Sequence, residues 1–511
     1  LRRIVFSVDN KKRKVTIFDT TLRDGEQTPG VSFTKVQKCA IAGELSSLGV
    51  HFIEAGFPAS SESERDTVRE IAHIGLNSKI CGLSRSVQAD VDACLDCDVD
   101  MVHVFIPTSE VQRMHTIRKS PEEVIEITGN IIRYVRDHIG LCMFSAMDAT
   151  RTDPQFLIDV CKAADDAGAT IINVPDTVGI YTPNRMHKLI TGLLSHVQCP
   201  LDVHCHNDFG LAVANTVAAV NAGASQMQVT VNGMGERAGN ADLAQSVMIL
   251  ESIEGISTGI KTEHLVPVSK LVSRYSGLSI PPIQPVVGDN AFSHESGIHS
   301  HGVIACSATF EPGIMTPEMV GHKRRLTLGK HVGRHAVRQM LEEVHIHPGD
   351  VELDQIVDKI KFISGKGKRI TDADLYEIAD SVTGTANGSR TIILEDFAVM
   401  TGNHVLPTAS VRALVNGKKE TYSSTGTGPV DAALNAILGM SPFRVQLKEF
   451  RVEAISGGSD AIGHVTIAVE DEGGSTFDAS ASGDDIVLAS AEAMINALNL
   501  LYRIREQKKN P

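Results

Sequence analysis

Residues 15–24 read Val15-Thr16-Ile17-Phe18-Asp19-Thr20-Thr21-Leu22-Arg23-Asp24, an apolar run of strand length that breaks into a dense polar turn. Runs of this kind recur about every 25–30 residues, at 15–18, 51–55, 80–83, 101–106, 141–146, 170–174, 201–204 and 226–231. Each is followed by turn residues and then by a stretch whose apolar positions repeat at helical spacing. Three of those stretches, 121–137, 154–167 and 183–196, begin with Pro, which is favoured in a first helical turn because its fixed φ suits the helix and its missing N–H is not needed there. Eight such β-α units in roughly 250 residues predict a closed (β/α)8 TIM barrel, with a doubly wound open sheet as the alternative.

The pattern changes after Leu250. The sequence divides into a barrel at residues 14–257, helical connector subdomains at 258–385 and a C-terminal α/β domain at 386–511. The connector opens with a helical piece, reaches Pro281-Pro282 and carries a Gly/His-rich stretch before charged helical sequence. The last region has alternating strands at 452–455 and 463–469, Gly-rich turns at 426–428, 457–458 and 473–474, and an Ala-rich helix near 489–501. A hinge is expected near 386–390, around Gly388.

Composition narrows the function. The 511 residues carry 48 Lys+Arg against 62 Asp+Glu, a formal net charge of −14. That balance argues against a nucleic-acid backbone or an anionic membrane as the main partner, because both require clustered positive charge. Hydrophobic residues make up 42%, enough for a sizeable core, and no apolar run approaches the ~20 residues of a membrane helix. The apolar part of residues 1–10 is too short for a signal peptide, so a cytoplasmic protein acting on small molecules is expected. Nine cysteines lie mostly in apolar segments, and they read as small buried hydrophobes in a reducing compartment, the lone Cys94-x-x-Cys97 pair included.

In a barrel of this kind the chemistry sits at the C-terminal ends of the strands. Here those ends are rich in polar groups: Arg23-Asp24 after the first, His103 on the fourth, Ser145 on the fifth, Asp176-Thr177 after the sixth, His204-Cys205-His206 on the seventh and Gly235-Glu236-Arg237-Ala238-Gly239-Asn240 after the eighth. Residues two apart on a strand share a face, so His204 and His206 can reach one ion. With a carboxylate from another strand end they form a divalent site suited to Zn²⁺, Mn²⁺ or a similar first-row ion. The plainer reading is a pair of hydrogen-bonded histidines. Arg23 and Asp24 can divide the work, one holding a substrate carboxylate or carbonyl and the other the ion, or they can be a surface ion pair.

Taken together, residues 18–27, 204–208, 235–240, 294–299 and 328–331 resemble the signature motifs of the Claisen-condensing metalloenzymes typified by 2-isopropylmalate synthase, and the likeness covers nearly the whole chain. Homocitrate and citramalate synthases and hydroxymethylglutaryl-CoA lyase are relatives. The resemblance implies that Asp24, His204, His206 and Asn240 ligate a divalent metal (Mn²⁺, Zn²⁺ or Mg²⁺) and that Arg23 holds the 2-oxoacid. It implies an oxoacid pocket lined by His103, Ser145 and Thr177, with acetyl-CoA as co-substrate. It implies a domain-swapped homodimer in which His299 of the connector reaches into the partner's barrel to assist proton steps. Residues 54–58 and 173–179 look more like isopropylmalate than citramalate synthases, which implies condensation with 2-oxoisovalerate. Citramalate or homocitrate synthesis, or a catalytically impaired regulatory paralogue, are the alternatives. Residues 426–432 resemble a leucine-sensing domain, which implies leucine as inhibitor and a site shaped by Gly426 and Gly428. Two residues depart from the family pattern: Met147 stands where an acid is usual, and His301 where Asp is common.

Overall fold

The computed structural model describes residues 13–294, 313–323, 325–326, 328–342, 346–365, 370–383, 391–441, 443–454, 463–474 and 476–509. Its chain separates into two units, one comprising residues 1–292 and 311–324, the other 293–310 and 325–511.

The first unit is built on β1 (Thr16–Asp19), β2 (Phe52–Gly56), β3 (Lys79–Arg85), β4 (Met101–Pro107), β5 (Leu141–Met147), β6 (Ile171–Asp176), β7 (Leu201–Cys205) and β8 (Gln226–Val229). All pair in parallel and in sequence order, and β1 also pairs with β8, so the sheet closes into a barrel. The open-sheet alternative is thereby excluded. Strand alternation sorts the side chains. On β4, Val102 and Val104 join the large apolar layer between sheet and helices, whereas His103 lies on the opposite face with Met101. Phe18, Cys81, Met101, Met143 and Ile171 form an apolar cluster of their own inside the barrel.

The helices follow their sequence signals. Pro121–His138, Pro154–Asp166 and Pro183–Leu194 all begin at the prolines. Ser120 and Glu123 close a reciprocal capping box on the first of these, and Asp153 caps the second. Val124, Ile131, Ile132 and Val135 of the first are buried, and each such side chain contributes roughly 1.5–3 kcal/mol of transfer free energy. β8 stops at Val229 rather than at 231. The Val231 N–H donates to Thr21 Oγ1 at 2.8 Å, and Asn232 adopts φ 60°, which turns the chain off the strand. Helix Leu265–Ser276 buries Leu265, Val266, Val268 and Val272 in the apolar layer of this same unit.

In the second unit, helices Arg334–Glu342, Asp350–Gly365 and Asp372–Thr383 share one apolar cluster. Beyond them a pattern of three antiparallel strands and a helix occurs twice. Strands Ile392–Gly402, Val405–Val415 and Lys418–Thr425 precede helix Pro429–Met440, and Val445–Ala454, Gly463–Asp471 and Thr476–Gly483 precede Ile486–Lys509. The Gly473-Gly474 turn is present, with Gly474 at φ 80°. The expected hinge at 386–390 and the Gly457-Gly458 turn lie outside the described residues. No helix among the described residues is long and apolar enough to cross a membrane. All eight described cysteines are free, and seven are buried. Cys94 and Cys97 are among these, their thiols directed at the carbonyls of Leu83 and Ala93.

Candidate metal centre

Ligand-type atoms of Asp24, His204 and His206 lie within 4.8 Å of one another, all three residues buried. His204 Nε2 is 3.1 Å from His206 Nε2 and 3.3 Å from Asp24 Oδ2. Both imidazoles come from β7 and its immediate extension, two residues apart, while Asp24 arrives on the turn after β1. The turn after β8 delivers the fourth expected ligand. A backbone bridge pairs Asn240 with His206, and Asn240 Nδ2 donates to the Met234 carbonyl at 3.0 Å, which leaves its Oδ1 as the free end of the amide. Gly235 is what allows the approach: a Cβ there would lie 2.2 Å from Asn240 Nδ2 and 3.3 Å from Asp24 Oδ1.

The donor set fits a divalent cation. Asp24 Oδ1 and Asn240 Oδ1 are buried without a hydrogen-bond partner, a costly arrangement unless something satisfies them. Two imidazole nitrogens, a carboxylate and an amide oxygen, with no thiolate, suit Zn²⁺, Mn²⁺ or Mg²⁺. Burial opposes ionisation of Asp24, but Arg23 and the two imidazoles outweigh it and hold the carboxyl well below the ordinary carboxylate range. Burial, with the neighbouring His204 ring and the nearby guanidinium charges, takes His206 down to about 3. It is therefore neutral, as a ligand imidazole must be.

A second group of side chains meets the first at Arg23. Arg23 Nε donates to Glu54 Oε2 at 2.7 Å and Nη1 to Asp24 Oδ2 at 3.1 Å. Glu54 Oε2 also accepts from Thr20 Oγ1 at 2.6 Å, and Oε1 lies 2.6 Å from His103 Nδ1. Burial would raise the Glu54 carboxyl, yet Arg23 and His103 overcome that and draw it down to about 2. An ionised carboxylate only accepts, so His103 Nδ1 carries the proton. Burial lowers the His103 imidazole against the pull of Glu54, so it is neutral, and its Nε2 accepts from Ser145 Oγ at 2.7 Å. Ser145 Oγ in turn accepts from Asn173 Nδ2 at 2.6 Å. Arg23 thus brings one positive charge against the carboxylates of Asp24 and Glu54, and a divalent cation would turn this local balance from −1 to +1, attractive to an anionic oxoacid.

The structure gathers Arg23, Asp24, His103, Ser145, His204, His206 and Asn240 at one end of the barrel. Thr177 sits at the rim, where its Oγ1 accepts the Asp148 N–H at 3.0 Å and its carbonyl accepts from Arg237. His299 and His301 lie outside the described residues. Met147 ends β5, half-buried, on the same strand face as Ser145. The adjacent Asp148 already has partners. It adopts φ 66°, is fully buried, and its carboxylate is committed to the Ser109 hydroxyl and to Arg151.

Sequence reasoning missed Glu54, Asn173, Asp202 and Gln228. The signal for Glu54 was an acid inside an otherwise apolar strand, since a buried charge persists only with partners. In the C-terminal region, the Gly426 N–H already donates to the Pro407 carbonyl and the Thr427 N–H to Asp431. Gly428 caps helix Pro429–Met440, and Ala432 and Ala433 are packed in the core of their unit.

Comparison with known proteins agrees with this geometry. Residues 14–272 match the HMGL-like family model, 286–368 the homocitrate synthase post-HMGL domain-like model, and 369–502 the LeuA allosteric (dimerisation) domain model. A protein of Methanosarcina mazei named "Probable 2-isopropylmalate synthase" is 57% identical, covering 96% of both chains. The 2-isopropylmalate synthase of Methanocaldococcus jannaschii is 49% identical, covering 97% of this chain and 96% of its own. The (R)-citramalate synthase of the same organism is 44% identical, covering 95% and 99%.

Proposed function

The chain belongs to the 2-isopropylmalate/homocitrate synthase family of acyltransferases, and from that premise we propose that it condenses acetyl-CoA with 2-oxoisovalerate to give 2-isopropylmalate and CoA, the first committed step of leucine biosynthesis. The observation that carries the reading is the buried Asp24–His204–His206 cluster with Arg23 beside it. A divalent cation held by Asp24, His204, His206 and Asn240 would supply Lewis-acid polarisation of the oxoacid carbonyl. Arg23 offers a fixed charge to the oxoacid carboxylate, with Glu54 and Asp24 fixing the guanidinium plane. His103, Ser145 and Thr177 line the oxoacid pocket, the first two held in one orientation by Glu54 and Asn173. A base takes a methyl proton from acetyl-CoA, the new C–C bond forms at the oxoacid carbonyl carbon, its oxygen is protonated, and water cleaves the thioester to release CoA. His299 of the connector assists these proton transfers in a domain-swapped homodimer. Leucine binding near Gly426 and Gly428 inhibits from a distance.

The test is release of CoA thiol by the purified chain with a divalent metal, acetyl-CoA and, in turn, 2-oxoisovalerate, pyruvate and 2-oxoglutarate, with and without millimolar leucine. The reading expects 2-oxoisovalerate to give the highest kcat/KM and leucine to lower the rate. Highest kcat/KM with pyruvate would mark a citramalate synthase, the activity named for a relative that is 44% identical. No thiol with any oxoacid would mark the non-catalytic paralogue that Met147 favours.

A further inference from the structure

Two side chains beneath the ligand cluster have no place in the chemistry above. Gln228 of β8 is 1% exposed and Asp202 of β7 fully buried. Asp202 shares its strand face with His204 and His206, by the two-residue alternation. Gln228 Oε1 lies 2.9 Å from His204 Nδ1, and Gln228 Nε2 donates to Asp202 Oδ2 at 2.6 Å. Met143 Sδ, 3.4 Å away, is a second acceptor for the same nitrogen. Both acceptors face one end of the amide, which leaves the oxygen end toward His204.

We infer that Gln228, held by Asp202 and Met143, is a positioning residue that keeps the proton of His204 on Nδ1 and its Nε2 lone pair on the metal. The inference rests on the metal-site reading above and goes beyond it. A neutral imidazole has one N–H and one lone pair, and an acceptor at Nδ1 decides which nitrogen carries which. An N–H on Nε2 would instead point into the ligand cluster, toward His206 Nε2 and Asp24 Oδ2, and block the site. Asp202 fixes the amide that fixes the ring, so a buried carboxyl group three side chains from the substrate bears on metal affinity.

The test uses the full-length chain and Mn²⁺ as probe, with binding followed by electron paramagnetic resonance and calorimetry, so that no turnover is needed. Gln228→Leu removes the acceptor while roughly conserving volume, and its Mn²⁺ dissociation constant should rise about 10–100-fold. Gln228→Glu keeps an acceptor at Nδ1 and should bind within a few-fold of the parent, whatever its thermal midpoint does. If Gln228→Leu binds as the parent does, or if both variants lose affinity in step with their thermal midpoints, the positioning role is overturned. Should neither variant fold, the parent still decides: the two-bond ¹H–¹⁵N spectrum of ¹⁵N-histidine-labelled protein with Zn²⁺ must show His204 protonated at Nδ1, its signal identified by loss in His204→Ala. Protonation at Nε2 overturns the inference. A parent that binds no divalent ion overturns the metal-site reading itself, which separates the two failures.

Discussion

Glu54 on β2 and His103 on β4 meet at 2.6 Å inside the barrel, across the intervening strand β3. With Thr20 and Arg23 on its other oxygen, Glu54 ties the loop that carries Asp24 to the wall that carries Ser145. Every partner donates, so the ionised carboxylate is the form the fold selects.

That selection sets a pH dependence. A carboxyl drawn from 4.5 down to about 2 stabilises the fold above its unfolded pKa and loses that stabilisation as pH falls through the interval between the two values. At neutral pH the contribution is on the order of 3 kcal/mol. Glu54→Gln should therefore lower the thermal midpoint at pH 7, and its difference from the parent should shrink as pH drops below about 4.5. Melting profiles that run parallel from pH 7 to the acid limit would show that Glu54 is not ionised in the fold.

The same residue marks the limit of what the sequence discloses. The barrel was legible because strand-length apolar runs followed by stretches of helical period repeat eight times, and each repeat is a local signal. Asp24, His204 and His206 were legible because strand ends and i, i+2 spacing are local too. Glu54, Asn173 and Gln228 act through partners 24–49 residues away. Nothing near them in sequence announces those partners, and only barrel closure brings them into reach. Asp148 shows the converse. Its position beside Met147 invites a catalytic reading, but a left-handed backbone sends its carboxylate to Ser109 and Arg151.

Removal of one imidazole should empty the site. His204→Ala and His206→Ala each delete a neutral nitrogen ligand, and no other His, Cys, Asp or Glu among the described residues joins that cluster. Metal content by elemental analysis and the rate of CoA release should fall together in both variants. Full metal content and full rate in either one would remove that histidine from the ligand set.

Lys38 offers a stability test away from the chemistry. Its Nζ lies 2.6 Å from Glu26 and 2.9 Å from Glu64, with the lysine side chain only 2% exposed. It thereby ties helix Lys35–Leu48 to the segment that follows Asp24. Lys38→Met leaves two facing carboxylates without their cation. Breaking a buried pair costs about 3–5 kcal/mol. The glutamates keep about a fifth of their exposure, so solvent screening brings the expected loss nearer 2 kcal/mol. Urea unfolding should show that loss, and Lys38→Met/Glu26→Gln/Glu64→Gln should recover part of it. A loss below about 0.5 kcal/mol would class the knot with ordinary surface ion pairs.

Met147 offers a test of whether a carboxylate at the end of β5 would speed turnover. It lies two residues past Ser145 on the same face of β5, at the open end of the strand, and a thioether takes up no proton at neutral pH. Asp148 is held by Arg151 at 2.7 Å and by Ser109, turned away by its left-handed backbone. A carboxylate restored by Met147→Glu would stand where the oxoacid pocket opens. General acid–base groups contribute about 10²–10⁴-fold, so kcat for CoA release should rise at least about tenfold if proton transfer limits the parent. Met147→Gln supplies similar shape without a titratable group and should give no such gain. The rise should also be lost at acid pH as the new carboxylate protonates, a dependence absent from Met147→Gln. A kcat within about twofold of the parent in both variants, far below that range, would show that proton transfer at this position does not limit turnover.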